Sequence, residues 1–102
     1  MVCIHGGGWI SGDKSDMEIV ASELAAIGFA AVCPQYRLAP LHPYPSAIED
    51  VRAAVAFVRQ NSEEFGIDSG RIASLGNSAG GHLAAMCGVG TDTPVNAVVN
   101  IC

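Results

Sequence analysis

The chain has 102 residues, of which 50% are hydrophobic and only 15% charged, with a formal net charge of −5, a pI near 4.8 and a mean hydropathy of +0.36. That length allows one domain, residues 1–102, with a single modest core. Ten acidic residues against five basic ones, with no basic cluster, exclude nucleic acid and an anionic membrane as expected partners.

Surface outweighs interior in so small a domain. The apolar balance is therefore that of the middle of a larger sheet. Met1 runs directly into an apolar stretch without a basic leader or cleavage site, and the apolar runs are too short and interrupted to span a bilayer. Four cysteines (Cys3, Cys33, Cys87, Cys102) sit in apolar runs without CxxC spacing. Buried, reduced thiols are expected of them rather than disulfides or metal ligands. A cytoplasmic setting follows.

In chain order, MVCIH is a short apolar run stopped by glycines and reads as a buried strand. SDMEIVASELAAIGF reads as a helix, with Ser15 and Glu18 in capping-box positions, apolar Val20, Leu24 and Ile27, and Gly28 as its stop. FAAVCPQY is a second predicted strand, ended by Pro34, and RLAPLHPYP a rigid proline-rich loop. SAIEDVRAAVAFVRQNSEEFG opens on a second predicted capping box, Ser46 and Glu49. Its apolar face is Ala47, Ile48, Val51, Ala54, Val55 and Val58. RIASL is a third strand, AGGHLAAMCGVG a helix and VNAVVNIC a fourth strand.

Strands alternating with helices predict an α/β fold: a parallel central sheet of about four strands with flanking helices. The apolar runs are continuous rather than alternating, which predicts burial of the sheet on both faces.

Two motifs carry chemistry. In GNSAG, Ser78 stands between Gly76 and Gly80 where strand becomes helix. A serine hydroxyl needs a base and an exposed position to act as a nucleophile. A sharp strand-to-helix turn gives that exposure, and it demands glycine two residues to either side. The N–H of Ala79 and the dipole of the following helix then point toward an oxyanion on the attacked carbonyl. Taken alone, the motif also fits a glycine-rich turn that merely packs helix on strand. HGGGW, His5 to Trp9, directly follows the first strand. Consecutive glycines suit a place where bare backbone must approach something, and two N–H groups there complete an oxyanion hole with Ala79. A phosphate-binding loop would need Lys-Ser or Lys-Thr after the last glycine, where this chain has Trp9-Ile10.

Together HGGGWISGD, YRLAP, HPYPSAIEDV and GNSAGGHLA resemble the α/β-hydrolase fold, specifically the hormone-sensitive-lipase-like esterases. The resemblance covers essentially the whole chain. It implies a carboxylic ester hydrolase acting on small, short-chain acyl esters, with no metal or organic cofactor. Ser78 would be the nucleophile, Gly7, Gly8 and Ala79 the oxyanion donors, and His5 the residue that positions the glycine loop. Asn77 stands where the family more often has Asp. The resemblance further implies a fold truncated at both ends, without the acid and base that follow in the family's later loops.

The chain itself offers three histidines. His82, four residues after Ser78, shares a helix face with it and is the weak candidate base; His42, in the proline-rich loop, is a second. Nothing in the sequence links Asp50, Asp68 or Asp92 to a histidine. Asp50 reads instead as a partner of Arg37, and Asp13 as the residue that fixes the loop after the glycines. Bared sheet edges and an apolar face predict a homodimer or higher homo-oligomer. The rival to an esterase is a folded, self-associating remnant in which the site architecture persists without turnover.

Overall fold

The computed structural model describes residues 1–101; Cys102, and with it the end of the fourth predicted strand, lies outside them. Strand β1 spans Val2–Ile4, α1 Glu18–Ala26, α2 Ser46–Gln60, α3 Ser62–Phe65, β2 Ala73–Asn77, α4 Ala79–Met86 and β3 Ala97–Ile101. The strands form a parallel sheet in the order β1-β2-β3. Val2 pairs with Ser74 and Ile4 with Gly76, and β3 continues the register from Ala73↔Ala97 to Asn77↔Ile101.

Side chains of β1 alternate between two cores, as strand periodicity dictates. Val2 and Ile4 pack with Ile48, Val51, Val55 and Val58 of α2 and with Leu83 and Ala84 of α4. Cys3, with Leu75 of β2, faces the opposite way onto Met17, Val20 and Leu24 beside and within α1. Helices therefore cover both faces, as an α/β fold requires. The face predicted for α2 is the face it buries, with Ala54 only half-buried at its margin.

Four local expectations are corrected. The second predicted strand is reduced to one parallel bridge, Val2↔Val32. It is held by Cys3 N–H donating to Val32 O (2.7 Å) and Val32 N–H to Met1 O (2.9 Å). Pro34 has no N–H to give, so the ladder stops there. The first capping box sits two residues early: Asp13 accepts from Ser15 N–H (2.9 Å) while Asp16 accepts from Asp13 N–H (2.9 Å). A 3₁₀ turn, Lys14–Met17, therefore precedes α1. The second box is absent, because Pro45 is the residue before the helix and Glu49 N–H bonds its carbonyl at 3.0 Å. That puts Ser46 inside the helix. Finally β3 is not buried: Val98, Val99 and Ile101 are 38%, 41% and 46% exposed. Continuous apolarity marks a strand that favours burial without supplying its cover.

The predicted anchors hold. Gly28, at φ +101°, ends α1, with its N–H on Ala25 O and that of Phe29 on Leu24 O. Arg37 grips Asp50 through Nε and Nη2 at 2.9–3.1 Å, and its own backbone N–H adds a bond of 2.8 Å. These bonds hold the Asp50 carboxyl below its ordinary range and pin the proline-rich loop to α2. Cys3 and Cys87 are buried free thiols and Cys33 a half-buried one. Among the described residues no helix is long and apolar enough to cross a membrane.

Candidate active site

Ser78 sits on the single-residue turn between β2 and α4 with φ +53° and ψ −122°, a region that L-residues avoid and that costs on the order of 1–3 kcal/mol. The surroundings impose it. A Cβ at Gly76 would collide with the carbonyl of Gly80, and one at Gly80 with the carbonyl oxygens of Ile4 and His5. Only with glycine at both positions can helix and strand meet this closely. The Ser78 N–H donates to Ile101 O of β3 (3.0 Å), and its carbonyl accepts from His82 N–H (3.1 Å), opening α4. The serine side chain is exposed and makes no hydrogen bond among the described residues.

The glycine loop lies against this turn. A Cβ at Gly6 would stand 2.7 Å from Asn77 O and 3.3 Å from Ser78 Cβ, so the bare backbone of one motif touches the other. Beyond it Gly7 adopts φ +127°. Its carbonyl accepts from the N–H groups of Ile10 (3.3 Å) and Ser11 (3.1 Å) and from Ser11 Oγ (2.9 Å), which closes the loop into a tight turn. The N–H groups of Gly7, Gly8 and Ala79 donate to nothing among the described residues. They are unpaired donors of the kind that a loop and a helix N-terminus leave open.

His5 anchors the loop from beneath. It is 0% exposed, its Nδ1 lies 2.7 Å from Gly6 O, and its imidazole stacks on Tyr36 at 4.2 Å and 10°. Tyr36 Oη donates to His5 O at 2.8 Å, and burial pushes the phenol up to about 12. A buried imidazole held this way is unavailable to Ser78. Tyr36 is thus a member of the site that sequence reasoning passed over. The YRLAP stretch announced it, without saying where its ring would go.

His82 is exposed on the first turn of α4. Its ring meets Trp9 edge-on, with centroids 5.5 Å apart at 81°, and the ring makes no hydrogen bond to Ser78. Among the described residues no carboxylate is hydrogen-bonded to any histidine. His42 and His82 do come together around one cavity of about 240 Å³, lined also by Trp9, Tyr44, Ile48 and Met86. No group of three or more potential metal ligands occurs among the described residues.

Sheet, crossover helices and strained turn define the α/β-hydrolase fold, and the comparisons with known proteins agree. The chain belongs to the BD-FAE family, which matches residues 1–100, among the hormone-sensitive-lipase-like α/β-hydrolases. It is 39% identical to the esterase LipC of Mycobacterium tuberculosis over 99% of this chain and 28% of that protein. With the carboxylesterase NlhH of the same organism it shares 46% identity over 84% of this chain and 27% of the relative. Among solved structures, a bacterial heroin esterase superposes with a TM-score of 0.87 at 37% identity, covering 97% of this chain and 33% of that one. The native Est2 esterase of Thermogutta terrifontis gives 0.92 at 29% identity, over 97% and 40%. The chain thus spans little more than a quarter of the length of the curated relatives it matches.

Proposed function

We propose that the chain carries the nucleophile and oxyanion half of a carboxylic ester hydrolase acting on small, short-chain acyl esters. The observation that carries this reading is the exposed, strained Ser78, with the glycine loop packed against its turn at Gly6. Ser78 Oγ attacks the ester carbonyl carbon and gives up its proton to a base. The carbonyl oxygen becomes an oxyanion that accepts hydrogen bonds from Gly7, Gly8 and Ala79 N–H. Collapse of the tetrahedral species expels the alcohol, which takes the proton, and water then hydrolyses the acyl-serine. His5 positions the glycine loop and stays out of the proton transfers. His82 is the first candidate base this chain offers and His42 the second; the His82 ring packs on Trp9 and has to turn toward Ser78 to serve. The names of the relatives, esterases and carboxylesterases among them, support ester chemistry.

The exposed apolar edge of β3 supports self-association as a dimer or larger homo-oligomer.

The test is hydrolysis of p-nitrophenyl acetate and butyrate by the protein beside Ser78→Ala and His82→Ala. Losing a triad member costs about 10⁴ to 10⁶ in kcat, so Ser78→Ala is expected to fall to background. If His82 is the base, its alanine variant follows. Equal rates for the original chain and Ser78→Ala establish the rival reading, a remnant without turnover.

A further inference from the structure

Cys3 and Cys33 lie on neighbouring stretches of extended chain, and the single bridge Val2↔Val32 fixes their register. Cys3 N–H donates to Val32 O at 2.7 Å, so the next residue along, Cys33, stands beside Cys3. Both side chains enter the same small core, with Met17 and Leu75, and the two thiols are close enough to perturb one another directly. Neighbouring strands run about 4.7–4.9 Å apart, inside the Cα separation of about 4.4–6.8 Å that a disulfide spans. Pro34 ends the ladder one residue later, so Cys33 is not locked into a regular strand and can close on its neighbour. Cys87, by contrast, packs in the other core.

We propose that Cys3 and Cys33 form a redox couple, which a low-molecular-weight disulfide converts to an intramolecular bridge and a small thiol converts back. Access decides the order of events. Cys3 is 0% exposed, whereas Cys33 is half-buried and lines an open groove with Lys14, Ser15 and Glu18. Cys33 therefore meets the oxidant. Its sulfur attacks one sulfur of the small disulfide, forms a mixed disulfide and releases the first small thiol, which carries away the Cys33 proton. Cys3 then attacks the Cys33 sulfur from inside the core, and the second small thiol leaves with the Cys3 proton. Two protein thiols are oxidised, and one disulfide is reduced to two thiols. Burial holds both protein thiols above their ordinary range, so the exchange is slow at neutral pH and quickens in alkali. The bridge also has a place beneath the site. Cys3 stands two residues before His5 and Cys33 three before Tyr36, the stacked pair under the glycine loop. Oxidation ties together the two stretches that carry this anchor.

The experiment needs no turnover. The protein is incubated at about pH 8 with oxidised glutathione, its remaining thiols are blocked with N-ethylmaleimide, and it is digested without reductant. Trypsin cuts after Lys14, Arg37 and Arg71, so Cys3 leaves on residues 1–14, Cys33 on 15–37, and Cys87 with Cys102 on 72–102. The expected product is 1–14 joined to 15–37, and the oxidised protein is expected to melt about 8–30 °C above the reduced one. Dithiothreitol reverses both changes. Cys3→Ala is expected to stop at the mixed disulfide, with glutathione retained on Cys33, and Cys33→Ser to leave Cys3 unmodified. No bridge in the folded protein, a bridge to 72–102, or an oxidised form that melts no higher than the reduced one overturns the couple. So does a folded Cys3→Ala protein whose Cys33 takes no glutathione; if that variant does not fold, the peptide map and Tm of the original chain decide.

Discussion

Replacing Tyr36 by Phe removes one oxygen and keeps the ring. The stack on His5, at 4.2 Å and 10°, needs only the ring, so it survives. What is lost is the 2.8 Å bond from Tyr36 Oη to His5 O, inside a region where both residues are almost wholly buried. Leaving a buried acceptor short of its partner costs about 1–3 kcal/mol, and each kcal/mol lowers Tm by about 4–8 °C in a domain of this size. The effect reaches the site because the same carbonyl abuts Gly80, where an added Cβ would collide with it. A carbonyl free to shift moves the glycine loop relative to Ser78, so kcat falls while KM is unchanged. Urea unfolding followed by circular dichroism measures the first effect, and steady-state hydrolysis of p-nitrophenyl acetate the second. A Tyr36→Phe protein within about 0.5 kcal/mol of the original and with equal kcat refutes the reasoning, since surface-like changes alone stay within that margin. Tyr36→Leu removes the stack as well and is expected to cost more on both counts.

Stability is also expected to fall in alkali. Burial pushes the Cys3 and Cys87 thiols from 9.0 to about 11 and the Tyr36 phenol from 10.0 to about 12. The folded state thus holds these protons more tightly than the unfolded one. Their contribution is complete below pH 9 and is lost as pH climbs toward about 12; a Tm flat from pH 8 to 11 sinks this account. At the open sheet edge, Val99→Lys places a charge on a strand that is exposed along its length. Light scattering is expected to show a lower mass for this variant than for the original chain, and a monomer in both removes the basis for self-association.

What could be read from the sequence was whatever local chemistry dictates. Gly76, Ser78 and Gly80 specify the turn because no other residues fit the approach of α4 to β2, and the 3.6-residue period of α2 names its buried face. Three of the misreadings share one cause, competition between neighbours. Ser15 with Glu18 has the spacing of a capping box, but Asp13 and Asp16 lie two residues closer to the loop and take the role. Ser46 loses its cap to Pro45, whose carbonyl meets Glu49 first. The strand around Val32 was correct in place and direction, and Pro34 cut it to a single bridge. Tyr36 and the Trp9–His82 contact depend on folding, which brings together residues 31 and 73 positions apart in the chain; no spacing rule reaches that far.

The bond from Ser78 N–H to Ile101 O ties the most strained residue of the site to the least covered strand of the sheet. A strained backbone persists only while its surroundings hold it, and here one of the holders is the last residue of an edge. The local unfolding that frays β3 therefore also releases the serine turn into an ordinary, unstrained conformation. The competence of the elbow is set by the free energy of that edge opening rather than by the global stability of the core. Whatever covers β3, whether another copy of the chain or additional polypeptide, thus acts as a clamp on the Ser78 turn.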